Sequence, residues 1–515
     1  MKEKISSRTT SVVVSFEDES GYTPELTVIR SPRTGEKQEG DIALKYAEQR
    51  IEVTPEEDKR LLRKIDMYIQ PPMILIIILQ FIAKVTTTAA LMLGFREALG
   101  MHGDMYPWVA SSFYLGYLVF TPIGVRCLQR FPASKTLAIF IMLWGADLCL
   151  MAIPAYASFI TWRTILGMLE SAVLPGCMIV VGQWYKAEEQ LFRTTLFYAS
   201  MGFGGLLGDA MAYGLYKHQY SYLIPGWQVC FIIMGPITIL YGVFYFFHMP
   251  DNPSKAWFLN EREKQMVVER IRENQQGFGN PKWKWYQFRE CLMDVQVWLF
   301  FLFGVFNNIG NGGLQNFSVL LLEGMGFKDE MQILMDMPCY AFQIVACMGL
   351  SYCERYIKSR MAVCTFGAVI YMIALILIAY GPSDNAKYGG YVINTISLLP
   401  GACLLSCFAS NVAGHTKKVT FNSFFLIGYC VGNLIGPQTF KESEEPFYQT
   451  AKTTMMCSAV LSLFFIMCIW AVYVVRNWRK EKLVGTEIYN KFANMENVEF
   501  GDFTDMENPL FRYSW

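Results

Sequence analysis

The sequence predicts an all-α polytopic membrane protein of about twelve transmembrane helices arranged as two six-helix repeats. Three observations carry this. Of 515 residues, 53% are hydrophobic and 17% charged, too apolar for a soluble chain whose single cores stop growing near ~250–300 residues. Apolar segments of about 20 residues, the length that crosses ~30 Å of hydrocarbon, recur along the chain. They fall into six and six on either side of one long polar stretch, Met249 to Asp294.

Taken in order, residues 1–66 form a polar tail of mixed charge with no apolar leader segment, and its first forty or so residues have the composition of a disordered region. "TPEED" offers Thr54 as N-cap, Pro55 at the first helical position and Glu57 to close a capping box. The helix it opens runs basic through Lys59, Arg60, Arg63 and Lys64 up to the membrane. The first half, 67–248, holds spans centred near Leu75–Leu93, Trp108–Ile123, Thr136–Ile153, Phe159–Val181, Thr194–Leu215 and Trp227–His248. The central loop, 249–294, contains a surface helix capped by Asn260 and Glu263. The second half, 295–475, holds Val297–Leu320, Met335–Tyr352, Met361–Tyr380, Gly389–Ser410, Thr420–Ile435 and Thr454–Val475, and a polar tail follows over 476–515.

Lys and Arg collect in the loops after even-numbered spans (Arg126, Arg130, Lys135; Lys186, Arg193; Arg355, Lys358, Arg360; Lys417, Lys418) and beside the membrane in both tails. By the positive-inside rule both termini and the central loop face the cytosol. "RFPASK" before the third span and "RYIKSR" before the ninth share the pattern R-[FY]-x-x-S-[KR]. Together with the six-plus-six layout this is the plan of major-facilitator transporters, two parallel repeats with a site near the midplane.

Charges within the apolar segments mark that site. Lys84 sits mid-way through "LQFIAKVTTTAALML", and a lysine at that depth costs roughly 2.5–3.5 kcal/mol on insertion scales. Span four reads "FITWRTILGMLESAVLPG", which puts Arg163 and Glu170 on one helix face two turns apart. Lys84 and Arg163 would attract an anionic substrate, and Glu170, desolvated, could carry a proton. A structural ion-pair lock between Glu170 and a cation is the alternative. Span seven holds "FNNIGNGGLQNF", where Asn307 and Asn311 share a face and could bond a ligand or act as interhelical glue. Tyr114 is a candidate donor or a packed tyrosine. Asp209 is a further intramembrane acid, and Asp147 a weaker case.

Other classes are excluded or left unsupported. Formal net charge is zero, so nothing points to nucleic acid. No Walker A sequence is present, which argues against an ATP-driven pump. Fourteen Cys with no C-x-x-C pair and only four His make a metal site improbable. No catalytic arrangement stands out in the polar segments, so the expectation is a transporter, not an enzyme, with no cofactor.

The chain resembles the fungal allantoate permease family, in the anion:cation symporter branch of the major facilitator superfamily. The resemblance runs from Ile51 to Trp515 through "IEVTPEEDKRLLRKID", "MHGDMYPWVASSFYLGYL", R-x-x-L-G-x-x-E (Arg163 to Glu170), "PDNPSKAWFLNEREK", "RIRENQQGFGN", "GNLIGPQTF" and "DFTDMENPLFRY". It implies proton-coupled uptake of a small organic anion at the plasma membrane by a monomer, with allantoate or ureidosuccinate as the type of substrate. Lys84, Arg163 and Glu170 match the family's pattern. Ala83 departs from it, because the family usually places Asp immediately before this Lys as part of proton coupling. Asp209 is then the candidate second acid. The departure keeps open a uniporter or exchanger for nicotinate, another vitamin carboxylate or a sulfonate. A nutrient sensor that signals through its tails without flux is the reading from another class.

Overall fold

The computed structural model describes residues 53–272, 284–328, 330–353, 359–445, 447–486, 489–490 and 503–514. The far N-terminal tail expected to be disordered, most of "RIRENQQGFGN" and Arg355–Lys358 of the second loop motif lie outside these. Among the described residues the chain is helical and contains no strand.

Among the described residues twelve long helical stretches follow one another. Spans 1 to 6 are Pro55–Met92, Met105–Arg130, Ala133–Met151, Tyr156–Glu170 continued by Val173–Trp184, Ala187–Lys217, and Gly226–His248. Spans 7 to 12 are Val295–Glu323, Glu330–Cys353, Arg360–Tyr380, Asp384–Ile393 continued by Leu398–Asn411, His415–Gln438, and Gln449–Glu481. Eleven are long and apolar enough to cross a bilayer. The remaining one, span 5, has the length at 31 residues but is rich in glycine and carries Asp209. It packs between spans 1 and 8.

Span 1 begins as the sequence predicts. Thr54 Oγ1 accepts from the Glu57 amide at 3.4 Å and the Glu57 carboxylate accepts from the Thr54 amide at 3.3 Å. Its helix runs through Pro71 and Pro72. Proline has no N–H for the carbonyl four residues back, so Pro72 leaves the Tyr68 carbonyl free, and His248 Nε2 of span 6 sits 3.0 Å from it. A tertiary partner thus replaces the lost ladder bond, as a membrane interior requires.

Spans 4 and 10 break in the same way. Each carries Leu-Pro-Gly, at Leu174–Gly176 and Leu399–Gly401. In each the α-helix is interrupted just before it, after Glu170 and at the 3₁₀ turn Asn394–Ser397. The proline removes one ladder bond at the interruption. This correspondence between the fourth and tenth spans is a second internal repeat, and its first copy falls immediately beyond Glu170.

The two sets of six spans are pinned together at the end remote from the termini. Arg96 pairs with Glu442 at 2.9 Å and Glu445 at 3.0 Å. The Gly103 amide donates to Glu442 at 2.8 Å and the Tyr106 hydroxyl to the Asn316 carbonyl at 2.7 Å. At the terminal end, ionic clusters hold each set separately. Under spans 1–6, the loop helix Glu261–Arg272 is tied down by Lys64–Glu263 at 2.7 Å, Arg262–Glu57 at 2.8 Å and Arg270 to Asp58 and Glu189 at 2.9 and 2.5 Å. Under spans 7–12, buried Lys417 contacts Glu290, Asp294 and Asp505 at 2.8, 3.0 and 2.8 Å.

Asp505 belongs to the C-terminal tail. Residues 503–514 lie against the chain's own bundle: the Thr504 hydroxyl donates to Glu290 at 3.0 Å, and Asn411 and Asn477 donate to the Ser514 and Tyr513 carbonyls at 2.8 Å each. The described part of "DFTDMENPLFRY" is thus packed against its own chain.

Candidate functional site

The intramembrane charges converge on one aromatic ring. Lys84 Nζ of span 1 lies 5.3 Å from the Phe113 ring centre and Arg163 Cζ of span 4 lies 5.0 Å from it. Phe113 is on span 2. Its π-face offers both cations a partner that neutralises neither.

Two glycines bring these side chains together. A Cβ on Gly167 would stand 2.0 Å from the Phe113 carbonyl oxygen, and one on Gly116 would stand 2.0 Å from the Thr164 carbonyl oxygen. Spans 2 and 4 therefore touch backbone to backbone, one turn from Arg163. Gly167→Val should force them apart at a cost of about 1–3 kcal/mol or more. The check is the yield of monodisperse protein and its substrate uptake; normal values of both would refute this role of the crossing.

Arg163 is 2% exposed and its Nε and Nη1 have no hydrogen-bond partner. Glu170 is fully buried; its Oε2 accepts from Gln80 Nε2 at 3.1 Å, while Oε1 has no partner. Gln80 lies one turn before Lys84 on span 1, so the two share a face. Glu170 is within electrostatic reach of Lys84 and Arg163, yet its close contact is the neutral amide of Gln80. Asp147 of span 3, also buried with both carboxylate oxygens unpartnered, is within reach of Arg163 and Glu170.

The last six spans close the other side. The Tyr114 hydroxyl donates to Gln315 Oε1 of span 7 at 3.2 Å. Tyr114 and Tyr117 each stand 6.2 Å, ring centre to ring centre, from Tyr429 of span 11, and Cys430 is within electrostatic reach of Lys84. The span-seven pair takes the interhelical role in this state. Asn311 Nδ2 donates to Asn433 at 3.0 Å, and Asn307 Oδ1 accepts from Ser462 at 3.4 Å, so both are engaged by spans 11 and 12. Asp209 is not part of this group; it faces Asp336 of span 8.

Sequence reasoning missed Gln80, Phe113 and Asp336, and ranked Gln315 of the span-seven amides below Asn307 and Asn311. Gln80 carried a signal, a polar residue four before Lys84 in an apolar run. Phe113 carried none, since one more aromatic in an apolar span looks like packing. A small pocket opens among spans 5, 8 and 10, lined by Thr195, Tyr198, Cys347, Thr395 and Leu399. It has no charged lining and lies away from Lys84 and Arg163, so the charged cluster is the stronger site on chemistry. Among the described residues no cluster of His, Cys, Asp and Glu could hold a metal ion.

Comparison with known proteins agrees with this architecture. Residues 73–437 match the Major Facilitator Superfamily. The allantoate permease of Saccharomyces cerevisiae is 41% identical over 92% of this chain and 90% of its own length. An uncharacterized transporter of Schizosaccharomyces pombe is 41% identical over 90% of this chain and 91% of its own. Among solved structures, the xylose transporter of E. coli, in a partially occluded inward open conformation, has a TM-score of 0.57 at 14% identity, covering 77% of this chain and 98% of the other. A bacterial homolog of the human lysosomal transporter Spinster has a TM-score of 0.54 at 15% identity, covering 82% and 96%. The chain is a membrane transporter, not an enzyme, and belongs to the allantoate permease family of the major facilitator superfamily.

Proposed function

We propose that this protein is a proton-coupled symporter for a small organic anion of the allantoate or ureidosuccinate type, working by alternating access. The observation that carries the reading is that Lys84 and Arg163 flank the Phe113 ring with none of the described ion pairs involving either. Two cations held without a neutralising acid in contact, at bilayer depth, call for an anion from outside. Arg163 can grip a carboxylate through two N–H groups, while Lys84 adds a point charge. Tyr114 is placed to add a hydroxyl. Asn307 and Asn311 would first exchange bonds to spans 11 and 12, and Tyr114 and Gln315 the bond between them; orientation falls first on Tyr114, whose ring centre stands 5.2 Å from that of Phe113.

Glu170 and Asp209 are the proton-carrying groups in this reading. The two six-helix halves rock about the site. With the termini cytosolic and the protein in the plasma membrane, the pinned end is the outer one and the described state is closed to the outside. A monomer suffices for this mechanism.

The test is uptake of labelled allantoate, ureidosuccinate, nicotinate and a sulfonate in cells lacking their own permeases, with and without a protonophore. Uptake of one carboxylate that collapses with the protonophore is expected; no uptake of any would overturn the reading. In the same assay Arg163→Ala should raise the apparent KM about 10- to 150-fold, the loss of a charged hydrogen bond worth about 1.5–3 kcal/mol. An unchanged KM in well-expressed variant protein would remove Arg163 from the site.

A second reading is favoured by Ala83, fully buried beside Lys84 where the family usually places an acid. It makes the protein an exchanger or uniporter. Preloaded vesicles without a pH gradient separate these, because an exchanger needs substrate on the far side. A sensor role would instead show as signalling without measurable flux.

A further inference from the structure

Spans 5 and 8 pack antiparallel, and their register is given by three contacts. A Cβ on Gly202 or Gly205 would meet Ile344 at 2.7 Å or Tyr340 at 2.3 Å. One turn beyond Asp209, Ala212 packs with Ile333. As numbers rise along span 5 the facing numbers fall along span 8. Asp209 lies four residues after Gly205 and three before Ala212. Asp336 lies four before Tyr340 and three after Ile333. The two carboxyl groups therefore face each other across the boundary between the first and last six spans, in the third of each helix nearest the pinned end.

Asp209 is 4% exposed and Asp336 is 6% exposed. Asp209 Oδ2 has no hydrogen-bond partner. Asp336 Oδ1 accepts from the Tyr391 hydroxyl of span 10 at 2.5 Å, and its carboxyl also bonds the Ser318 side chain of span 7. The titratable groups around the pair are Tyr391, Tyr388, Cys339 and Tyr340, with Tyr213 and Tyr216 against the neighbouring Ala212. None is a cation. Two ionised carboxylates buried face to face without a cation repel strongly. One proton between them converts that repulsion into an O–H···O⁻ bond, which is short and strong.

We infer that Asp209 and Asp336 hold one proton between them, and that this shared proton is a second proton site which latches span 5 to span 8 while the pinned end is closed. Asp336 and the latch go beyond the coupling role proposed for Glu170 and Asp209, and rest on the same reading of the chain as an alternating-access transporter. Losing the proton to the outside leaves two facing carboxylates, which drives these spans apart and opens that end. Opening is thus tied to proton release at a place separate from the anion.

The experiment is a pulsed spin-label distance between Glu97→Cys and Lys441→Cys, on the loops of the pinned end, with exposed Cys457 replaced by Ser. Purified protein without substrate is scanned from about pH 5 to about pH 8.5, the range in which perturbed carboxyls titrate. A short distance in acid and a longer population at alkaline pH are expected. In Asp336→Asn or Asp209→Asn the amide donates to the remaining carboxylate at every pH, so the short distance should persist throughout. A pH-dependent opening in either variant equal to that of the parent, or none in the parent, would overturn the latch. Infrared difference spectra give a second reading: with Glu170→Gln and Asp147→Asn as the common background, the carbonyl band of a protonated carboxyl present at neutral pH should be lost when Asp209 and Asp336 are both changed to Asn. Its retention there would also overturn the inference. Neither measurement uses an anion, so failure of the symport reading, seen as absent uptake, is distinguishable from failure of the latch.

Discussion

Glu170→Gln is expected to abolish uphill accumulation while sparing counterflow of the substrate. The glutamine keeps the volume of the side chain and its contact with Gln80, which holds Glu170 Oε2 at 3.1 Å, but it cannot take up or release a proton. In a one-to-one symport of a monovalent anion with a proton no net charge moves, so the membrane potential of ~2.3 kcal/mol per 100 mV does no work on the cycle. The driving force is then the pH gradient, about 1.4 kcal/mol or tenfold accumulation per unit. The parent should approach that ratio, and the variant should not pass equal concentrations, because an anion moving without its proton is opposed by a negative interior. Exchange of labelled for unlabelled substrate requires only the loaded carrier to reorient, and it should persist. Equal loss of both activities would sink the coupling role, as would full accumulation by the variant.

The second large effect is on stability. Lys417 is wholly buried and touches Glu290, Asp294 and Asp505 at 2.8, 3.0 and 2.8 Å, so it joins the loop before span 7, the start of span 11 and the C-terminal tail. Arg476 adds a second cation to Asp294 and Asp505. Replacing Lys417 by Met fills the space but leaves buried carboxylates facing one another. Breaking a buried pair from one side costs about 3–5 kcal/mol. Lys417→Met should lower the temperature at which the detergent-solubilised protein aggregates and expose the segment 503–514 to protease. Adding Asp505→Asn should recover part of the loss, since the two changes act on one network. Stability and protection equal to the parent would show that the tail is held by other contacts.

The cluster also carries a pH dependence with a definite sign. Burial pushes the Asp294 carboxyl up, but Lys417 and Arg476 outweigh it and hold the group below its ordinary value. An acid depressed by folding stabilises the fold above its unfolded pKa of about 3.9, and that contribution is lost as pH falls through the lower folded value. Asp294 therefore contributes fully at neutral pH and ceases to do so only in strong acid.

Much of this molecule follows from local pattern. Span length is set by the hydrocarbon thickness, and whether a 20-residue window is apolar is a property of that window alone. The capping box at Thr54 involves residues three apart. Arg163 and Glu170 share a face because seven residues make two turns. Lys84 stands out because charge is scarce in such windows. These features were legible in the sequence, and with them the count of spans and the three central charges.

Tertiary packing decided what each of those groups meets. Phe113 as the common neighbour of Lys84 and Arg163 depends on the backbone contact at Gly116 and Gly167, whose depth no single helix encodes. Asn307 and Asn311 share a face as their spacing requires, but rotation of span 7 against spans 11 and 12 turned them to Ser462 and Asn433 and left Gln315 to reach Tyr114. Asp336 lies in the second turn of span 8, and only the antiparallel register sets it opposite Asp209. The C-terminal tail reads as a free segment by composition, and one buried lysine, Lys417, gives Asp505 its place. In each case the deciding term is an interhelical contact between residues dozens to hundreds of positions apart. Periodicity along one helix determines which face a side chain occupies, and only the packing of helices determines what stands across from it.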